Sequence, residues 1–572
     1  MSGLGELLGV GRDVPDELGR LTGVTLDSRS VQEGDLYAAL PGTRTHGAAF
    51  CEQAVKAGAI AILTDPDGKD RAARCDVPVF CVNSPRARLG DVSCWIYGDP
   101  STKMRLVGVT GTAGKSTTSY LLEAGLRSAG HPTGLIGGVE IRIGDEKVKA
   151  ALTTPEAPDL QALLAVMAER GVTAAAMEVS SHSLALGRVA GTRYDVAIFL
   201  NLSQDHLDFH SSFENYFAAK AQLFTPAYAG VGVVNVADRY GRRLVAQASI
   251  PVTTFCADPQ SGAYQNADWR AADVRCGADG STFRVIGPGG VEADASVIVP
   301  GPFNVANALA AIVGLVEAGV RLEDAVAGVA ACPGVPGRLQ RVDGLPDFRG
   351  TYAASNRGDN PPQTPRSAYG VSSGGDTPSA APSRGTSPGP PDPRRAYSAF
   401  SGGDNPPDPP RGTFGGVDAF VDYAHKPGAV EAVLSALRNV TQGDLIIVLG
   451  CGGDRDRGKR PLMGAAAARL ADVAILTSDN PRSEDPLKIL SEMLQGVLEV
   501  PQEERARVIV EPDRAAAIGL AAGLAGKGDV LLVAGKGHET GQYVDGRVLP
   551  FDDREVTASA LRRALSQSAD LP

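Results

Sequence analysis

Runs of consecutive apolar residues, each followed by a stretch of helical periodicity, recur along most of this chain. From Arg105 onward they fall at Leu106 to Val109, Thr173 to Val179, Val196 to Leu200 and Val231 to Val236. Unbroken apolar strands separated by helices predict a parallel sheet covered on both faces. A second series predicts another such sheet: Ala419 to Asp422, Leu445 to Leu449, Val473 to Thr477, Val508 to Val510 and Val530 to Ala534. Ahead of both, short apolar stretches alternate with turn residues from Gly23 to about Val82 (Asp35 to Leu40, Ala59 to Leu63, Val77 to Val82), which predicts a small α/β domain. The expected fold class is α/β in three domains, at 1–103, 104–336 and 337–572.

One window breaks the pattern. Residues 349–413 contain thirteen prolines, and Val371 is their only Val, Ile, Leu or Met. Such a segment cannot bury enough apolar area to offset its ordering entropy, so a disordered low-complexity insertion is expected within the third domain. Tyr352, Tyr369 and Tyr397 are each followed seven residues later by an Asp preceded by Gly. That imperfect repeat reads either as a docking array for an unknown protein partner or as repeat expansion in a tolerated surface loop.

Composition narrows the function classes. Of 572 residues, 43% are hydrophobic and 21% charged, as in ordinary folded chains, and the formal net charge is −11. That charge argues against a general nucleic-acid or anionic-membrane binder, whose partners select basic surfaces. No apolar run approaches a membrane span, and the N-terminus has no basic start leading into an apolar stretch, so a cytoplasmic protein is expected. The eight cysteines form no C-x-x-C pair or zinc-like cluster and read as reduced.

Chemistry concentrates in a few segments. Gly108-Val-Thr-Gly-Thr-Ala-Gly-Lys-Ser-Thr117 follows an apolar strand and opens a helical segment. Such a loop points backbone N–H groups and a helix N-terminus at an anion, with Lys115 for phosphate oxygens and Ser116 for Mg²⁺. This reads as an ATP site, although Val109 stands where the strict P-loop pattern has its first glycine. Glu178, in Met-Glu-Val-Ser-Ser-His182, and Asn201-Leu-Ser-Gln-Asp-His206 follow at the ends of later strands, where open parallel sheets place ligands. Five of the seven histidines (His182, His206, His210, His425, His538) and five of the twelve lysines (Lys115, Lys220, Lys426, Lys459, Lys536) lie in such motif segments.

With Asn215-Tyr-Phe-Ala-Ala-Lys220, Gly301-Pro-Phe-Asn304, Pro336-Gly-Arg338, Asp422-Tyr-Ala-His425 and Ala534-Gly-Lys-Gly-His-Glu539, these motifs stand in one order over about 430 residues. In that order the chain resembles the Mur ligases, most closely the MurE branch, from about Gly23 to Glu555 apart from the insertion. The resemblance implies the three-domain Mur architecture: a UDP-sugar-binding N-terminal domain, a central P-loop ATPase domain and a C-terminal Rossmann-like domain that binds an amino acid. It implies an ATP-dependent amide ligase that phosphorylates a UDP-sugar-linked peptide carboxylate and lets an amino-acid amine attack the acyl phosphate.

Residue by residue, the resemblance implies that Gly111, Thr112, Ala113, Gly114, Lys115, Ser116 and Thr117 bind ATP phosphates. Asn304 would contact adenine, Arg338 a phosphate and Asp422 the ribose. Ser116 and Glu178 would serve one Mg²⁺, and His206 with Lys220 a second, Lys220 being carbamylated by CO₂ to N6-carboxylysine. Because Arg338 and Asp422 lie beyond the central sheet, domain closure is expected to complete the site, with a hinge near Cys332-Pro333-Gly334. Ser28, Thr43, Thr153, Thr154, Ser180 and Arg188 would bind the UDP-sugar peptide, while Leu152 and Leu186 depart from a common enterobacterial pattern.

The amino-acid pocket would comprise Arg455, Asp479, Asn480, Pro481, Arg482, Gly535 and Glu539. Planar guanidinium groups bind carboxylates at two points, so Arg455 and Arg482 suit a substrate with an extra carboxylate. meso-Diaminopimelate has one and L-lysine does not. In the resemblance, Asp-Asn-Pro-Arg marks the diaminopimelate-adding members. The expected substrates are thus ATP, UDP-N-acetylmuramoyl-L-alanyl-D-glutamate and meso-diaminopimelate, handled by a monomer. Two alternatives stay open: an L-lysine-adding ligase, and a non-catalytic nucleotide-binding scaffold acting through its proline-rich insertion.

Overall fold

The structure, a computed structural model, describes residues 2–10, 21–42, 44–150, 152–342 and 416–569. Thr43 and the 349–413 segment lie outside the described residues. Strands β1 (Gly23–Thr25), β2 (Asp35–Ala39), β3 (Ala61–Thr64) and β4 (Val79–Cys81) form a first sheet in that order, parallel throughout.

The second sheet has eleven strands: β5 (Arg105–Thr110), β6 (Thr133–Ile136), β7 (Ile141–Ile143), β8 (Glu146–Val148), β9 (Ala174–Glu178), β10 (Tyr194–Phe199), β11 (Ala229–Asn235), β12 (Val252–Cys256), β13 (Trp269–Gly277), β14 (Gly280–Ile286) and β15 (Glu292–Val297). Their order is β15-β14-β13-β12-β11-β10-β5-β9-β6-β7-β8. The expected parallel sheet is found from β13 to β6, and both edges correct it: β14, β15, β7 and β8 all run antiparallel to their neighbours.

Alternation along the central strands shows why their sequences are apolar without break. Val107, Val109, Ala174, Ala176, Val196 and Ile198 pack into one core, and Leu106, Ala175, Met177, Ala197 and Phe199 into another on the opposite face. Strand side chains alternate faces, so both sets must be apolar when both faces are covered. The helix Pro302–Glu317 covers the first face, with Val305, Leu309 and Ile312 fully buried or nearly so.

The third sheet, β16 (Gln340–Arg341), β17 (Asp418–Asp422), β18 (Leu445–Cys451), β19 (Val473–Ser478), β20 (Arg507–Val510) and β21 (Val530–Ala534), runs β16-β17-β21-β18-β19-β20. Only β16 is antiparallel to its neighbour. A hairpin, β22 (Gly541–Val544) and β23 (Arg547–Pro550), follows it. One apolar cluster runs continuously from Leu309 under the central sheet to Val433, Leu434 and Ile447 of the third layer. The second and third layers thus share one apolar seam.

Candidate active site

Strand β5 lies between β10 and β9 in the central sheet. At its carboxyl end the chain turns through Gly111 to Gly114 and enters the helix Lys115–Ser128. Gly114 has φ +87, and a Cβ on it would lie 2.3 Å from Asn307 Oδ1, so both conformation and space require glycine. Asn201, at the end of β10, braces the loop: its Oδ1 accepts from Thr112 N at 3.1 Å and Ala113 N at 3.0 Å, and its Nδ2 donates to Ala113 O at 3.1 Å. Thr112 Oγ1 also meets the Tyr216 hydroxyl at 3.0 Å. Asn201 stands in the Asn201-Leu-Ser-Gln-Asp-His206 motif, but its spacing there does not mark it as a brace for a loop 89 residues earlier.

Lys115 Nζ sits inside the loop, donating to Gly111 O at 2.9 Å and Thr112 O at 3.2 Å. Burial pulls its pKa down to about 8. Ser116 and Thr117 are buried at the start of the helix. Ser116 Oγ donates to Glu178 Oε1 at 3.0 Å, and Gly138 N donates to the same oxygen at 2.9 Å. Lys220, on the helix Phe213–Ala221, is 1% exposed. Its Nζ donates to Gly111 O at 3.0 Å and lies 4.8 Å from the Tyr216 ring centre. Burial, then the nearby Lys115, holds this amine well below the ordinary lysine range. His206 has φ +52, and its Nε2 lies 3.0 Å from Asp205 Oδ2. Burial lowers its pKa to about 4.

The phosphate loop, Glu178 and Lys220 are therefore assembled in one place. Ser116 and the carboxylate of Glu178 are hard oxygen donors of the kind Mg²⁺ takes when it binds through one or two carboxylates plus substrate phosphates. Among the described residues, no group of three or more His, Cys, Asp and Glu forms a self-sufficient metal cage. A protonated Lys220 is donor-only and could not ligate a cation, and a neutral amine is a poor ligand for Mg²⁺, whereas a carbamate there would supply an anionic oxygen.

The proposed sugar-peptide residues divide. Thr154 Oγ1 donates to Glu178 O at 2.9 Å and accepts from Ser180 N at 3.2 Å, while Arg188 reaches Thr154 O at 3.4 Å and Glu156 at 2.9 Å. Thr153 packs beside Gly138, where a Cβ would stand 3.0 Å from its hydroxyl. These four gather at the end of β9. Ser28 hydrogen-bonds within the first domain instead, to Gln53 at 3.4 Å.

On the third sheet, the Arg338 guanidinium lies 4.4 Å from the Tyr423 ring centre, with Nη1 3.4 Å from His538 Nδ1. Asp422 accepts from Leu339 N and from Ala424 N, each at 2.6 Å, one on each carboxylate oxygen. A ribose would therefore have to use their second lone pairs. Asn304 is 2% exposed, donating to Pro300 O at 2.8 Å and accepting from Asn307 at 3.2 Å. Gly334, at the expected hinge, has φ +94. Among the described residues, ion pairs span the two layers at two places: Lys426 of the third bonds Asp205 of the second, and Arg341 of β16 bonds Asp279 in the turn between β13 and β14.

The Asp479-Asn-Pro-Arg482 loop leaves β19. Asn480 is fully engaged: Nδ2 donates to Glu539 Oε2 at 2.8 Å, and Oδ1 accepts from Lys536 Nζ at 2.9 Å and Tyr543 N at 3.0 Å. Gly535, φ +112, lets β21 turn against Asp479, whose Oδ2 would lie 2.8 Å from a Cβ there. Asp479 Oδ1 is buried without a hydrogen-bond partner, 3.8 Å from Lys536 Nζ, and burial raises its pKa. Pro481 is buried. Arg482 has φ +54, and its Nη1 donates to Gly453 O at 2.7 Å. Arg455 is exposed.

A support that no sequence motif marks lies beneath this pocket. The side chains of Arg514 and Asp553 are both 0% exposed and paired at 2.7 Å. Arg514 also donates to Ala534 O at 2.9 Å and Ser478 O at 3.3 Å, the carbonyls immediately before Gly535 and Asp479. Neither residue belongs to a motif that would have singled it out.

Three family models match the chain in order: Mur ligase family, catalytic domain, at residues 20–94; Mur ligase middle domain, at 109–315; and Mur ligase, glutamate ligase domain, at 411–537. The UDP-N-acetylmuramoyl-L-alanyl-D-glutamate–2,6-diaminopimelate ligase of Streptomyces avermitilis is 51% identical, with 98% of this chain and 96% of that one covered. Its counterpart in Corynebacterium glutamicum is 41% identical over 96% and 94%. A solved structure of a ligase of the same name is 29% identical, covers 99% of each chain and superposes with a TM-score of 0.62. MurF from Thermotoga maritima in complex with ADP, 16% identical, shares the fold with a TM-score of 0.57 over 97% of this chain and 100% of that one. The chain belongs to the Mur ligase family.

Proposed function

We propose that this protein joins meso-diaminopimelate to UDP-N-acetylmuramoyl-L-alanyl-D-glutamate at the expense of ATP, in the cytoplasmic synthesis of peptidoglycan precursors. The observation that carries the reading is the meeting of two sheets. The phosphate loop, Glu178 and buried Lys220 lie on one side of the seam, and the Asp479-Asn-Pro-Arg482 loop belongs to the other. The relatives' names support the same substrates. Among the described residues no helix is long and apolar enough to cross a membrane. We take 1–103, 104–336 and 337–572 as the functional domains.

In this reading the loop amides and Lys115 hold the ATP phosphates, oriented by Asn201. Mg²⁺ held by Ser116, Glu178, His206 and a carbamylated Lys220 would neutralise phosphate charge. The buried, depressed amine of Lys220 is suited to CO₂, because carbamylation needs the neutral form. The γ-phosphoryl group passes to the terminal carboxylate of the sugar-linked peptide, ADP leaves, and the diaminopimelate amine displaces phosphate to form the amide. Such chemistry is mainly positioning and charge neutralisation. Thr153, Thr154, Ser180 and Arg188, with Ser28 and Thr43, would hold the sugar peptide, and Asn304, Arg338 and Asp422 the nucleoside. Arg455 and Arg482 would take the second carboxylate of diaminopimelate, and Glu539 its ammonium. Phosphate release measured with diaminopimelate and with L-lysine tests the reading: turnover is expected with the first only. Equal turnover with both would remove the pocket assignment.

A further inference from the structure

Two loops flank the proposed amino-acid pocket. Residues 452–458 lead from β18 into the helix Lys459–Leu470, and residues 479–485 lead from β19 into the helix Pro486–Leu498. The first carries Arg455 and the second Arg482. Both contain a non-glycine residue in the left-handed region, Asp454 (φ +51) and Arg482 (φ +54), a conformation that L-residues hold only when their surroundings enforce it.

Arg482 is held by backbone bonds to the β22–β23 hairpin, its N donating to Tyr543 O at 2.9 Å and its O accepting from Asp545 N at 2.8 Å. The contacts from the other loop and its helix converge on Glu484. Its Oε1 accepts from Asp454 N at 2.6 Å and from Arg460 Nη2 at 2.9 Å; its Oε2 accepts from Arg460 Nη1 at 3.1 Å and Arg457 Nη2 at 3.0 Å. Arg460, 0% exposed, also donates to Gly452 O at 3.1 Å and to Glu492 Oε2 at 2.7 Å. The loops are locked from the other side as well. Ser483 Oγ donates to the Asp454 carboxylate at 2.8 Å, Gly453 N donates to Asn480 O at 2.9 Å, and a Cβ on Gly453 would stand 1.9 Å from Pro481 O. Every bond to Glu484 thus holds protein to protein, and four donors on the other loop and its helix fill its oxygens.

We propose that Glu484 is a specificity-determining positioning residue, which ties the Arg455 loop to the Arg482 loop and so fixes the spacing of the two guanidinium groups for the second carboxylate of the amino-acid substrate. The inference rests on the assignment of Arg455 and Arg482 made above. A misplacement of about 1 Å in a positioned group can cost roughly 100-fold in rate, so the tie has leverage without touching substrate.

The experiment compares Glu484→Gln, Glu492→Gln and Arg482→Ala in the full-length protein by steady-state kinetics and thermal melting. Glu484→Gln sets an amide N–H₂ against arginine donors. It is expected to raise KM for diaminopimelate about 10- to 100-fold, with KM for ATP and the sugar dipeptide within about 2-fold. The preference for diaminopimelate over L-lysine should fall by the same factor, because lysine has no second carboxylate to misplace. Glu492→Gln, which removes a different partner of the same Arg460, is expected to lower the melting temperature without moving that preference. An unchanged KM for diaminopimelate in Glu484→Gln, or an equal rise in every KM, overturns the proposal. So does a matching loss of preference in Glu492→Gln. Arg482→Ala tests the parent reading separately: if its KM for diaminopimelate is unchanged, the pocket assignment itself fails; if it rises while that of Glu484→Gln does not, only the tie is refuted. Should Glu484→Gln not fold, Ser483→Ala, which removes one contact of the same interlock, must show a smaller selective rise for the proposal to stand.

Discussion

Asp553→Ala would leave Arg514 buried without its counter-ion, and the structure sets the scale of the loss. The two side chains are 0% exposed and joined by two parallel bonds, Nε to Oδ1 at 2.8 Å and Nη2 to Oδ2 at 2.7 Å. Removing one partner of such a pair costs about 3–5 kcal/mol, chiefly because the remaining charge stays desolvated. Two carbonyls, Ser478 O and Ala534 O, still accept from the guanidinium, which places the cost toward the lower end of that range. For a domain of this size it corresponds to a fall of about 6–15 °C in the melting temperature. Calorimetry should show the shift in the transition of the third domain. Arg514→Met combined with Asp553→Leu should recover most of it, since an apolar pair of similar volume is often neutral. A single variant that loses less than about 1 kcal/mol, or a double variant that loses the sum of both singles, would refute the view that this pair is a mutually dependent buried unit.

Lys426→Met removes the side chain that bonds Asp205 across the two layers, and it should cost about 1–2 kcal/mol, seen as a roughly 5- to 30-fold lower kcat/KM for ATP and a larger radius of gyration in solution scattering. Gly114→Ala meets both a positive φ and Asn307, so nucleotide affinity by calorimetry should fall at least about 10-fold. Acid stability follows His425, whose pKa burial pushes down to about 3, and His206 and His538, pushed down to about 4. Below about pH 6.5 the unfolded chain binds protons that the folded state refuses, so stability falls as pH drops from about 6.5 toward 3. Urea midpoints at pH 7 and pH 5 should differ less in His425→Gln than in the natural chain.

The elements that could be read from the sequence were those with only one physical solution. Strands β5, β9, β10, β18 and β21 are apolar on both faces because helices cover both, and such runs announce themselves. The β13–β15 edge was not legible. Along β13 only Trp269 and Ala271 are buried, Arg270, Asp273 and Arg275 stand among the other positions, and the register shifts between Ala272 and Arg275. The phosphate loop was legible because its residues are contiguous. Pairs made by folding were not: Asp205 meets Lys426 221 residues away, and Asn201 reaches back 89 residues to Thr112. Asp, Asn and Arg are common enough that neither end of such a pair stands out alone. Glu484 lies two residues beyond Arg482, within sight of the motif, yet its importance depends on Arg460 and Asp454 of another loop.

The central claim is a defined chemical outcome, so the product itself is the most direct measurement. The protein should be incubated with ATP, Mg²⁺, UDP-N-acetylmuramoyl-L-alanyl-D-glutamate and meso-diaminopimelate, and the products weighed by mass spectrometry. One new species is expected, heavier than the sugar dipeptide by diaminopimelate less one water, with ADP and phosphate formed in equal amounts. ATP hydrolysis without that species, or a product that incorporates L-lysine equally well, would contradict it.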